Sequence, residues 1–287
     1  FSHCSMLAFS IFVSGSFTFG SLIANEISPE LLTFYRFLIA TIILGVILYF
    51  NKSIYAHHLK NIWRYFVLGA IYSIYFVFMF VALKYTTTVS TAAIFTLLPL
   101  FAALLERLFL KKSSPTLIWA ALILSGMGAL WIIFEGSVNG LFQFRFEEGE
   151  AIFLVGTICY ASYAIIQPKL FEGENIYVTT LGVLAAGSII LAISLILQQS
   201  SFLLDKITFE VFWVIFYLAI FASIGSITCL NYASPRLSAP VVSAYTLLVP
   251  FWVILNDFVF FKIAPNINMT VGAMLIAFGL LILIYRS

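Results

Sequence analysis

Residues 97–112, LLPLFAALLERLFLKK, and residues 248–263, LVPFWVILNDFVFFKI, align without a gap at an offset of 151. Pro99 falls on Pro250, Glu106 on Asp257, Phe109 on Phe260 and Lys111 on Lys262. Farther along, GMGALWII (126–133) falls on AFGLLILI (277–284), which sets Gly128 on Gly279. A shared apolar composition aligns Leu with Phe almost anywhere. It does not bring a proline, a carboxylate, a lysine and a glycine into one register, so the chain reads as a duplication.

Outward from these segments, the 287 residues are 63% hydrophobic and only 9% charged, against roughly a quarter charged in an ordinary soluble domain. Apolar runs near the length of a bilayer-crossing helix, about 20 residues, occupy 6–25, 30–50, 62–83, 88–110 and 115–134. After a polar connection containing NGLFQFRFEEGE come 149–168, 176–197, 209–230, 239–260 and 267–285. In hydrocarbon every backbone N–H and C=O must be paired within the segment, so runs of this length are expected to be helices. The first run is read as a span and not a signal peptide, because no basic region leads it and nine more runs follow.

The expected fold is therefore an all-α integral membrane protein of ten transmembrane helices. Residues 1–135 form a first five-helix repeat, 136–148 an extracytoplasmic connection, and 149–287 a second repeat. Five is odd, so the second repeat enters the membrane inverted relative to the first, an arrangement that suits a carrier rocking about a midplane site. Lys and Arg in the connections divide nine to four in favour of a cytoplasmic N-terminus. Both termini are expected inside, in a multi-pass protein of the cell inner (plasma) membrane.

Net charge is +2, without the basic surplus that neutralises nucleic-acid phosphates, so no nucleic-acid partner is expected. Cys4, Cys159 and Cys229 are dispersed and apolar in setting, and His3, His57 and His58 lack partners at metal-ligand spacing. No metal or cofactor is expected. No nucleophile–base set or phosphate loop appears, so the chain does not read as an enzyme.

ISPELLTFYRFLIA (27–40), ALKYTTTVSTAAIFTLLPLFAALLERLFL (82–110) and SAPVVSAYTLLVPFWVILNDFVFF (238–261) resemble the drug/metabolite transporter superfamily, in its ten-span EamA-type branch. The likeness covers nearly the whole chain. It implies two five-helix halves, a central cavity lined mainly by spans 1, 3, 4, 6, 8 and 9, and transport of small metabolites, often amino acids, outward or inward. Taken with the repeat and the aromatic and hydroxyl residues described below, it makes the expected function alternating-access transport of small amphipathic metabolites, with amino acids the leading class and export the favoured direction. Carriage of quaternary-ammonium or nucleoside-like solutes is the alternative within transport. A membrane-embedded lipid enzyme or a non-transporting scaffold is the alternative outside it. Ten helices can enclose a cavity in a monomer, and a homodimer is also compatible. The bilayer and a small-molecule substrate are the expected partners, with a coupling proton as a further candidate.

Span 1 carries Ser10, Ser14, Thr18, Ser21 and Asn25 on one helical face, which fits a watery lining or small-residue packing equally well. Candidate substrate contacts are Ser14, Tyr75, Thr91 and Phe95 in the first half and Tyr160, Tyr163, Gln167 and Tyr245 in the second. Phenols and amides on one face can stack on and hydrogen-bond an amphipathic solute. Arg36, inside its span, is expensive in lipid unless paired or functional, and either anchors a substrate carboxylate, gates, or snorkels outward. Glu106 and Asp257, near the two mouths, are candidate gating carboxylates or proton sites, or interfacial charges that end their spans. Pro99 and Pro250 are expected to kink their spans and free a carbonyl.

Overall fold

The computed structural model describes residues 1–52, 61–111, 115–134, 136–137, 147–170, 173, 175–199, 207–233, 236–237 and 239–285, with backbone alone at 239–240, 243 and 284–285. His57, His58 and most of the expected 136–148 connection lie outside the described residues.

The first half runs α1 (Ser2–Ile23), α2 (Pro29–Phe50), α3 (Trp63–Ala82), α4 (Thr88–Phe95), α5 (Leu98–Leu110) and α6 (Thr116–Ile133). The second runs α7 (Glu148–Leu170), α8 (Ile176–Leu197), α9 (Phe209–Ala219), a π-helical segment (Ile220–Gly225), α10 (Ser226–Ala233), α11 (Ala239–Ala244), a 3-10 turn (Tyr245–Leu248), α12 (Val249–Phe261) and α13 (Ile267–Tyr285). Joined end to end, α4 with α5, α9 with α10, and α11 with α12 each make one interrupted crossing, giving ten helical crossings among the described residues. Eight helical stretches are long and apolar enough to span a membrane, and Tyr245–Phe261 and Ile267–Leu283 are shorter apolar ones. Large apolar side chains such as Ile42, Phe109, Ile193, Leu197 and Phe278 are exposed around the outside. A surface of that kind suits lipid rather than water, and the chain is a multi-pass all-α membrane protein.

The helix starts are written locally. Ser28 Oγ accepts from Leu31 N at 3.4 Å with Pro29 next in line, and Thr87 Oγ1 accepts from Ser90 N at 3.1 Å. Pro99 and Pro250 do not kink a continuous helix: each is the second residue of a helix that restarts after a tightened turn. Thr96 N donates to Ala93 O at 3.1 Å and Leu97 N to Ile94 O at 2.9 Å ahead of Pro99, while a 3-10 turn precedes Pro250. A proline supplies no N–H to the preceding turn and crowds its carbonyl, so that turn closes with i→i+3 bonds instead. Both α5 and α12 then end on a left-handed lysine, Lys111 at φ 53° and Lys262 at φ 59°.

Across the halves, α6 packs on α13, α2 on α8, α3 on α7, and α1 on α9 and α10. The α6–α13 crossing is close enough that a Cβ on Gly128 would lie 2.8 Å from Gly272 O, and one on Gly279 would lie 2.9 Å from Ala121 O. The two helices therefore run antiparallel. Positions 121 and 272, like 128 and 279, are 151 apart, so the two close approaches exchange under the offset of the duplication.

Candidate functional site

Two turns into α2, Arg36 is fully buried and does not snorkel. Its Nε donates to Ser223 Oγ at 2.9 Å, its Nη2 donates to Ala222 O at 3.3 Å, and its Cζ lies 3.9 Å from the centre of the Phe76 ring. Nη1 has no hydrogen-bond partner among the described residues. The acceptors come from the π segment of span 8, where one extra residue in the turn displaces the carbonyl ladder. Ser223 Oγ itself donates five residues back to Leu218 O at 2.9 Å, and Ser226 Oγ donates to Ala222 O at 2.9 Å. The small residues of IFASIGS let the first half's cation reach that backbone.

Arg36 lines a cavity of about 60 Å³ between the halves, with Val13, Ser16, Tyr72, Tyr75, Phe76 and Phe95 from the first half and Tyr160, Ala222, Ser226 and Thr246 from the second. Tyr72, Tyr75, Phe95 and Tyr160 of this lining belong to a stack of rings that continues behind the wall through Tyr163. Tyr75 and Tyr160 lie 4.4 Å apart at 19°, Tyr72 and Tyr163 5.1 Å apart at 27°, and Tyr160 and Phe95 6.2 Å apart at 15°. Behind the lining, Phe17 packs on Phe95 at 5.6 Å and edge-on against Phe153 at 5.9 Å. Offset rings at these distances attract one another, and Tyr75, Phe95, Tyr160 and Tyr163 are brought together as one surface from α3, α4 and α7.

Other candidates are placed elsewhere. Ser14 Oγ accepts from Asn256 Nδ2 at 3.2 Å, and Ser10 Oγ accepts from Trp252 Nε1 at 2.9 Å, so this part of the span 1 stripe packs against α12 while Ser16 faces the cavity. Tyr245 shares a 2.7 Å hydrogen bond with His3 Nδ1 and packs with Met6, Phe9 and Val241 in a separate cluster. Thr91 Oγ1 is used within its own helix, donating to Thr87 O at 2.8 Å. Gln167 is half-buried one residue before Pro168 near the end of α7. Glu106 is half-buried, whereas its repeat mate Asp257 is buried.

Thr88, the first residue of α4, donates its hydroxyl to Asp257 Oδ2. Asp257 Oδ1 and Thr18 Oγ1 are near each other, but neither forms a hydrogen bond of good geometry. On the other side of the same helix start, Glu150 is buried and accepts from Glu147 N at 3.0 Å and from Thr86 Oγ1 at 3.4 Å. The segment TTTVS (86–90) is thus held between two carboxyls, at a helix N-terminus that favours negative charge. Sequence reasoning passed over Ser223, Phe76 and Glu150. The run of small residues at 222–226 was the available signal for the first of these.

The family model for the EamA-like transporter family matches this chain twice, over residues 1–134 and 148–285. YyaM of Bacillus subtilis (strain 168), described as an uncharacterized transporter, is 27% identical over 283 residues, covering 97% of this chain and 92% of its own. An uncharacterized transporter of Archaeoglobus fulgidus is 24% identical over 270 residues, covering 93% and 91%. A solved crystal structure aligns with a TM-score of 0.73 over 98% of this chain and 96% of its own at 17% identity, a likeness of fold. Ten apolar helical crossings, a buried cavity shared between two halves and a family match to each half lead to one conclusion: the chain belongs to the EamA-like transporter family and is a membrane transporter.

Proposed function

We propose that this transporter works by alternating access about the Arg36 cavity, carrying small amphipathic metabolites out of the cell, with amino acids the leading class. The observation that carries the reading is a site shared by the two halves, with Arg36 and the α3 rings facing Tyr160, Ala222 and Ser226. The halves are inverted repeats in this reading. Its support is the antiparallel α6–α13 crossing, whose two close approaches exchange under the repeat offset. On one side of the cavity, His3 with Tyr245 and Ser5 Oγ with Cys229 O (3.1 Å) tie span 1 to the second half. On the other, Thr88 ties α4 to Asp257. Breaking one set while the other holds would open the cavity to one face at a time.

Both termini are cytoplasmic and the membrane is the plasma membrane in this scheme. Its topology is checked in a background lacking Cys4, Cys159 and Cys229. A membrane-impermeant thiol reagent applied to intact cells is expected to label Asn266→Cys and to spare Lys52→Cys until the membrane is opened. Both positions are exposed. Equal labelling of the two would reject the orientation.

The transport reading is tested by efflux from proteoliposomes loaded with mixed amino acids, where one class should leave saturably. Tyr163→Phe deletes a hydroxyl worth about 1 kcal/mol as a hydrogen bond, several-fold in apparent affinity, and keeps the ring stack with Tyr72. Tyr163→Ala removes the stack as well and is expected to cost more. Unchanged affinity and rate in both variants would take Tyr163 out of the solute path.

A further inference from the structure

A guanidinium inside a membrane protein is costly unless its charge is answered, and here the answer is incomplete. Arg36 is met by one hydroxyl, one backbone carbonyl and the face of Phe76, with Nη1 unpartnered. None of the described residues lining the cavity is Asp or Glu. Ser16 lines the same cavity and its Oγ is also buried without a partner. Two unsatisfied donors beside one cavity, one of them cationic, call for an anionic acceptor.

We propose that the solute is an organic carboxylate, its oxygens taken by Arg36 Nη1 and Ser16 Oγ and its apolar body laid against the rings of Tyr72, Tyr75 and Tyr160. This rests on the carrier reading above and narrows it: the carboxylate is required and an amino group is not. A planar guanidinium matches a carboxylate edge to edge. Nη2 can turn from Ala222 O to the solute without orphaning that carbonyl, because Ser226 Oγ still donates to it at 2.9 Å. A solute arriving this way draws Arg36 off the second half's backbone, so binding loosens a contact that joins the halves. A cationic solute meets an unanswered positive charge, and a site with no carboxylate in its lining rejects it.

The test uses the purified full chain and three probes with one body and three charges: phenylpropionate, phenylpropanamide and phenylpropylamine. Binding is followed by the shift in melting temperature in detergent, and movement by flux into proteoliposomes. The acid is expected to bind at least about tenfold more tightly than the amide, as a charge-assisted contact should, with no response to the amine. Arg36→Gln should erase the difference between acid and amide. The wild-type charge series decides the matter even if that variant does not fold. Equal binding of amide and acid, a preference for the amine, or no binding of any probe overturns the proposal. Uptake of the amine alone defeats it while leaving the carrier intact, whereas binding of the acid without flux defeats the carrier and leaves the site.

Discussion

If Asp257 carries a coupling proton, as we propose, Asp257→Asn abolishes proton-driven accumulation of the solute while leaving downhill exchange in place. The side chain is buried, accepts from Thr88, and has a second oxygen beside Thr18 with no hydrogen bond made. Among the described residues, α4 presents Thr88 and α1 presents Thr18 to the carboxyl, neither of them charged, and the 3-10 turn (Tyr245–Leu248) and α13 (Ile267–Tyr285), which also pack on α12, contain no Asp, Glu, Lys, Arg or His. A carboxyl in that setting can take up a proton without breaking an ion pair, and doing so changes what it offers to the α4 start. Asparagine keeps the shape and the acceptor for Thr88 but cannot carry the proton. With one proton exchanged per solute, a gradient of one pH unit sustains about tenfold accumulation. The ratio should fall to about one in the variant. Proteoliposomes with an imposed pH gradient measure it directly, and undiminished accumulation would remove Asp257 from the coupling step.

The second large effect is on stability. Gly128→Leu should unfold the protein at a lower temperature, because a Cβ at this position lies 2.8 Å from Gly272 O and 3.0 Å from Ile276 N, both backbone atoms that cannot swing aside. Gly128→Ala alone forces α6 and α13 apart, an overpacking cost of about 1–3 kcal/mol, and leucine adds to it. Gly126, on the same helix, is the control. Its Cβ would meet Leu97 Cδ2 at 3.5 Å, an ordinary contact. Gly126→Ala should be neutral or stabilising, since alanine favours the helix by about 1 kcal/mol over glycine. Melting curves of the two alanine variants in one detergent should move in opposite directions. Equal shifts would mean that helix propensity, and not the approach to Gly272, governs this pair.

These two glycines show how much was legible beforehand. Only Gly128 recurs at the repeat offset, as Gly279, and it is the one that admits a neighbouring backbone. Pro99 and Pro250 were legible as interruptions, yet their effect, a helix that restarts after a tight turn, depended on the hydrogen bonds of the residues ahead of them. Tyr75, Phe95, Tyr160 and Tyr163 were named from helical spacing and lie in one ring stack. Tyr245, named for its place ahead of Pro250 in span 9, pairs with His3.

What the amino-acid sequence determined by itself is the class of the molecule: ten apolar helical crossings in two related halves. Bilayer thickness sets the length of each run, and the absence of water forces its backbone to pair internally. Both constraints act on composition, so composition reveals them. What only the tertiary structure decided is which face of each helix looks inward. In lipid the outer face is as apolar as the packed one, so the amphipathic period that marks a buried stripe in a soluble helix is largely missing. Ser14 and Ser16 are two residues apart and equally buried, yet one bonds to Asn256 and the other lines the cavity. Arg36 had open routes to the headgroups or to the interior, and the π-helical turn at Ala222 and Ser223, more than 180 residues away in the chain, supplied the acceptors that hold it inside.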